Sequence, residues 1–130
     1  MKLDKNKTLC VDFDGTIASK NTYDPQTINA TPNEGVHDAL KTLADTYTVI
    51  IYTTRLSPSQ NHDSTQFMIN RNMLKSWLDK NGFIQGTHYH DMLGVKIPAK
   101  HYIDDHGYHY THWNQTIKDL HGLRHAKTTA

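Results

Sequence analysis

Thr8-Leu9-Cys10-Val11-Asp12-Phe13, followed by Asp14-Gly15-Thr16, is the stretch that decides the fold. A short apolar run rich in strand formers ends in an Asp-Gly turn signal, which reads as a buried strand delivered into a turn. Alternation along a strand puts Asp12 and Asp14 on one side, with Phe13 turned into the core. Carboxylates thus gather at the strand's carboxyl end.

Outward from there, residues 16–30 are polar and contain Pro25, predicting a loop or short hairpin that forms a flap beside that end. Thr31-Pro32-Asn33-Glu34 has the pattern of a capping box with proline at the first helical position. Val36, Ala39, Leu40 and Leu43 recur at helical spacing, so a helix with one buried face is expected to about Thr46. Residues 48–53 are apolar on both faces, as a central parallel strand requires. After a polar loop over 55–64, Asp63 with Gln66 opens a second helix. Phe67, Leu74, Trp77 and Leu78 mark its buried face, and Asn81-Gly82 its stop. Short strands are expected at 89–93 and 100–104, a final helix at 113–120, and a frayed tail at 124–130. This alternation predicts one α/β domain over 1–130, a three-layer Rossmann-like fold. Its parallel sheet has four to five strands, with helices on both faces and right-handed crossovers. Ligands of such sheets bind beyond the strands' carboxyl ends.

Composition narrows the function. The 130 residues carry 14 Lys and Arg against 13 Asp and Glu, a net charge of +1 that lacks the basic excess of a duplex-binding domain. The single cysteine, Cys10, has no internal disulfide partner and lies between Leu9 and Val11, so a buried strand position and a reducing, cytoplasmic setting are expected. No secretory leader is read in the charged start, and the longest apolar run, Val49-Ile50-Ile51-Tyr52, is far below the ~20 residues of a membrane helix. Of the 10 histidines, eight fall from His88 to His125, and most are expected at the solvated surface. His106, His109 and His112 recur every three residues, but no cysteine accompanies them, so loop histidines are a better reading than a zinc site.

Four polar clusters end the expected strands: Asp12 with Asp14, Thr53-Thr54-Arg55, Lys96, and Asp104-Asp105. Carboxylates drawn to one place repel unless a cation sits among them, and Mg²⁺ suits all-oxygen ligands that also meet a phosphate. A threonine hydroxyl and a lysine ammonium suit that phosphate's oxygens. Taken singly, Asp-x-Asp is also a turn device, Thr53 a turn cap and Arg55 the partner of a surface acid. Trp77 and Trp113 read as core anchors.

In their order, Asp12-Phe13-Asp14-Gly15-Thr16, the strand ending in Thr53, Lys96, and Tyr102-Ile103-Asp104-Asp105 resemble the four motifs of haloacid dehalogenase superfamily phosphatases, over nearly the whole chain. The likeness is to small members without a cap domain. It implies a phosphomonoester hydrolase with Asp12 as nucleophile and Asp14 as general acid and then base. It further implies Mg²⁺ held by Asp12, the Asp14 backbone carbonyl and the Asp104-Asp105 pair, with phosphoryl oxygens held by Thr53, Thr54 and Lys96. Arg55 and His106 are candidate substrate contacts. The pattern departs at His106, where relatives often have arginine, and after Lys96, where Ile97 precedes Pro98. Lys100 is the competitor for the lysine role, but it falls inside the expected strand, too near Asp104 to reach over it. The segments 14–53 and 53–96 are too short for an inserted cap, so the site is open unless the 16–30 flap, the 56–64 loop or a second copy of the chain covers it. Two other readings stand beside a small-molecule phosphatase: a polynucleotide-end phosphatase, and a non-catalytic binder of magnesium and phosphate. A two-component receiver has its acidic pair first and its lysine last, and fits this order poorly.

Overall fold

The computed structural model describes residues 3–19, 24–104 and 117. Four strands, β1 (Thr8–Asp12), β2 (Thr48–Tyr52), β3 (Asp91–Leu93) and β4 (His101–Ile103), form one sheet in the order β3-β2-β1-β4. Every pairing is parallel. Two helices, α1 (Val36–Thr46) and α2 (Ser64–Lys80), make the crossovers from β1 to β2 and from β2 to β3. Both steps move in the same direction across the sheet, which right-handed crossovers satisfy with both helices on one face. A continuous core joins Leu9, Val11, Val49, Ile51 and Ile103 to Leu40 and Leu43 of α1 and Leu74 and Leu78 of α2. The alternate residues Cys10 and Ile50 are buried outside that cluster, toward the opposite face. Of the helix expected at 113–120, only Ile117 is among the described residues, partly buried against the core. The tail at 124–130 lies outside them.

The first helix starts later than its sequence signal. Its N-cap is Gly35 at φ 80°, with no side-chain cap, and the Thr31–Glu34 capping box does not form. Tertiary pairing takes those residues instead. Ala18 and Pro32 form an antiparallel bridge, Ser19 N–H donates to the Thr31 carbonyl at 2.7 Å, and Asn33 N–H donates to the Ile17 carbonyl at 2.9 Å. Asn33 Nδ2 also donates to the Thr16 carbonyl at 2.8 Å. The hairpin expected beside the end of β1 is thereby closed at its base.

The second helix obeys its signals. Asp63 Oδ1 accepts from Gln66 N–H at 2.8 Å. At the far end Phe83 N–H reaches the Leu78 carbonyl and Gly82 N–H the Asp79 carbonyl, a Schellman stop with Gly82 at φ 84°. Asn70, Leu74, Trp77 and Leu78 form its buried face. Phe67, expected there, is 36% exposed, because the first turns pack on the polar Arg55 turn and Asn70 takes the inward position. Two histidines are held by the fold. His88 is buried, and its Nδ1 accepts from Ile84 N–H; His90 Nδ1 accepts from Val49 N–H. Burial, then the charge of His37, holds the His88 imidazole below its ordinary pKa. Burial likewise pushes the Cys10 thiol up, which makes it a poor nucleophile.

Beyond β3 the chain passes very close to the short 3₁₀ turn Thr54–Leu56. A Cβ on Gly94 would meet the Leu56 carbonyl and the Ser57 nitrogen, backbone atoms with no freedom to give. Gly94→Ala is therefore expected to destabilise the fold by about 1–3 kcal/mol. Urea titration checks this; a midpoint equal to that of the unsubstituted chain would show that the approach is not tight.

Candidate active site

Because all four strands are parallel, their carboxyl ends share one edge of the sheet. Beyond β1, the step from β2 to β3 goes one way and β4 lies on the other side, so the topological switch point falls between β1 and β4. Val11 pairs with Ile103 in register, and Asp12 and Asp104 are the next residues on neighbouring strands, which run roughly 4.8 Å apart. By alternation both belong to the face of Cys10 and Tyr102, the side away from α1 and α2. Asp104 is buried and Asp12 half-buried.

Lys96 reaches the same place from the segment after β3. That segment is pinned at the Ile97 carbonyl, which accepts from Tyr102 Oη at 2.6 Å and from Cys10 Sγ at 3.8 Å. Lys96 Nζ then sits 2.9 Å from Asp104 Oδ2, and over the rings of Tyr52 and Tyr102 at 5.6 and 5.5 Å. The hydrogen bond to Asp104 raises the lysine pKa above its ordinary value, with a smaller contribution from the charge of Asp12. Lys100 is removed from this cluster. Its N–H donates to the carbonyl of Thr8, at the opposite end of β1.

After Asp12 the chain leaves the extended form. Thr16, Ile17 and Ala18 N–H groups all converge on the Phe13 carbonyl, and Gly15 adopts φ 82°. Phe13 is buried and meets Trp77 edge-on at 5.0 Å. Asp14 is thereby turned to Arg55. Nε of Arg55 lies 3.3 and 3.0 Å from Oδ1 and Oδ2, and Nη2 lies 2.9 Å from Oδ1. Nη1 donates to the Asp24 and Thr27 carbonyls at 2.7 and 3.3 Å. The arginine is 3% exposed and its carboxylate partner 37%, so one buried guanidinium ties the β1 turn, the turn after β2 and the flap together.

Thr53 follows β2 and is buried. Its N–H donates to the Leu93 carbonyl and its Oγ1 accepts from Arg55 N–H at 3.1 Å. Those two amides are used within the fold, which leaves the hydroxyl proton as what Thr53 offers a ligand. Thr54 is exposed on the following turn. Asp105 and His106 lie outside the described residues, as do His109 and His112. Among the described residues no three of His, Cys, Asp and Glu converge as a metal centre. The donors that do gather are all oxygen, and Asp12, Asp104 and Lys96 together carry a formal charge of −1, a setting compatible with a hard divalent cation.

Sequence reasoning left the role of Arg55 open between a surface pair and a substrate contact. An arginine placed two residues after a strand, flanked by leucine and threonine, was the available signal, but its partners come from residues 14, 24 and 27. Gly94 carried no local signal. No family model, curated protein or solved structure matches this chain.

Two substitutions probe this geometry. Arg55→Lys keeps the charge but loses the fork, and is expected to cost about 1–2 kcal/mol and to speed limited proteolysis within the flap. Unchanged cleavage there would separate Arg55 from the flap. Lys96→Met is expected to lower stability by about 1 kcal/mol, a modest figure because a third of the lysine side chain meets solvent. Its folded pKa is raised, so the contribution is fully present below the unfolded value of about 10.4 and is lost as pH rises through the higher folded value. Urea titrations from neutral to strongly alkaline pH should show the two proteins converging only at the alkaline end.

Proposed function

We propose that this chain is a magnesium-dependent phosphomonoester hydrolase of the haloacid dehalogenase type, a capless three-layer domain that works on a small phosphomonoester in the cytoplasm. The observation that carries the reading is the placement of Asp12 beside the Lys96–Asp104 pair at the switch point of the sheet. A nucleophilic carboxylate, an ammonium for phosphoryl oxygens and a second carboxylate then share one crevice. Among the described residues no helix is long and apolar enough to cross a membrane.

In this reading an Asp12 oxygen forms a bond to phosphorus as the bond from phosphorus to the ester oxygen breaks. Asp14 gives its proton to the departing oxygen. Nε–H of Arg55 is shared between Oδ2 at 3.0 Å and Oδ1 at 3.3 Å, and Nη2 donates to Oδ1 at 2.9 Å, so one arginine orients both oxygens of a side chain 37% exposed. Water then attacks phosphorus of the aspartyl phosphate and yields a proton to Asp14, while phosphate leaves and the Asp12 carboxylate is restored. Thr53 Oγ1 donates its proton to a phosphoryl oxygen, with Thr54 beside it, and Lys96 balances the charge. Asp12, the Asp14 carbonyl and the Asp104-Asp105 pair would hold Mg²⁺, which supplies further charge neutralisation when bound. Arg55 acts through Asp14 by holding one orientation of its carboxyl.

Phosphate release from an aryl phosphate and from a panel of sugar phosphates and nucleotides tests this. Release is expected with Mg²⁺, to stop with chelator, and to fall at least ~10³-fold in Asp12→Asn. Magnesium and phosphate binding without turnover would replace the reading with a non-catalytic binder. Release only from 5′- or 3′-phosphorylated oligonucleotides would make it a polynucleotide-end phosphatase.

A further inference from the structure

Lys96 lies between β3 and β4 in a stretch that belongs to no strand or helix, so its ammonium is aimed by the side chains it meets. The side chain is 36% exposed, and a flexible four-carbon stem at that exposure has many rotamers open to it. Its Nζ nevertheless lies 2.9 Å from Asp104 Oδ2, and 5.6 and 5.5 Å from the ring centroids of Tyr52 and Tyr102.

Both rings come from the sheet. Tyr52 ends β2 in register with Asp12, so its side chain rises from the same face one strand away. Tyr102 is in register with Cys10, two residues earlier on β1, and emerges on that face as well. Its Oη also fixes the chain next to the lysine, by donating to the Ile97 carbonyl at 2.6 Å. Across the carboxyl edge of the sheet the row runs Tyr52, Asp12, Asp104 on β2, β1 and β4, the last of these one step beyond the Val11–Ile103 pair. A group that meets both Tyr52 and Asp104 therefore lies across Asp12.

The partners of the ammonium differ in what they leave free. Asp104 takes one of its three N–H groups, and as a proposed magnesium ligand its hold on the lysine is shared. An aromatic face attracts a cation within about 6 Å of its centroid through the electron density above the ring, and uses up no N–H donor. An ammonium held in this way keeps donors for the oxygens of a ligand.

We propose that Tyr52 is a positioning residue, whose ring, together with that of Tyr102, holds the Lys96 ammonium over Asp12 where a phosphoryl oxygen is to be met. The inference rests on the phosphatase reading for the use of the ammonium, and on strand register and ring distances for its place. Tyr52 acts through Lys96 and not on the reacting atoms.

The test is a double-mutant cycle. It reads kcat/KM for an aryl phosphate, and competitive inhibition by inorganic phosphate, in the unsubstituted chain, Tyr52→Leu, Tyr52→Phe, Lys96→Met, and Tyr52→Leu combined with Lys96→Met. Leucine removes the ring but keeps apolar bulk. It should lower kcat/KM about two- to fivefold and weaken phosphate inhibition by a similar factor, as loss of one partly exposed cation–π contact would. Phenylalanine keeps the ring face and should restore both. In the Lys96→Met background, Tyr52→Leu should have no further effect, because the group it holds is gone. An equal loss in that background makes Tyr52 a packing residue, and a phenylalanine variant as impaired as leucine puts the effect on the hydroxyl. Either result overturns the inference and leaves the phosphatase standing. If no phosphate is released, the phosphatase reading fails and takes the ammonium's part in the reaction with it. Urea titration of the same cycle then decides the contact: stability losses that overlap in the double variant support it, and losses that simply add overturn it.

Discussion

The buried guanidinium of Arg55 is the constraint on which the described site depends. An arginine cannot lose its charge at any ordinary pH, so a burial this complete demands partners for its N–H groups. They come from a carboxylate and two backbone carbonyls in parts of the chain that no strand or helix joins directly. Satisfying one side chain thus orients Asp14, anchors the flap and fixes the turn after β2. The same turn offers its backbone to Gly94, so the segment bearing Lys96 is set against it as well. Few hydrophobic contacts could impose such specific geometry, because dispersion is not directional.

Two cations divide the carboxylates of the site. Arg55 is committed to Asp14 and Lys96 to Asp104, while Asp12 stands between these arrangements at the end of the central strand β1. The division is chemically sensible. Arginine's planar fork holds a carboxylate in one orientation, whereas a compact ammonium is a point charge that a ligand oxygen can share. The flanking Tyr52 and Tyr102 rings add a favourable surface to the lysine without another formal charge.

Local signals were legible where they had no competitor. Asp63 caps α2 and Gly82 ends it, both in open sequence where nothing else claims the backbone. The Thr31–Glu34 signal was equally strong and did not form a cap, because Ile17 and Ser19 recruit the same residues into a hairpin base. Capping is worth about 1 kcal/mol, and several long-range hydrogen bonds exceed it. Phe67 shows the same competition in packing: its helical phase suits the core, but the first turns of α2 face a polar turn instead.

The sequence by itself determined the parallel α/β sheet, the strand ends that carry Asp12, Thr53 and Asp104, the buried face of α1 and the later turns of the buried face of α2. Those depend on periodicity and on short-range turn chemistry, which are written within a few residues of one another. Only the tertiary structure decided that Arg55 is buried against Asp14 and that the backbone at Gly94 is set against the turn after β2. Each of these joins positions tens of residues apart through strand order and register. A parallel sheet sets its neighbours by crossover direction, and the local pattern of any one strand carries no record of which strand lies beside it.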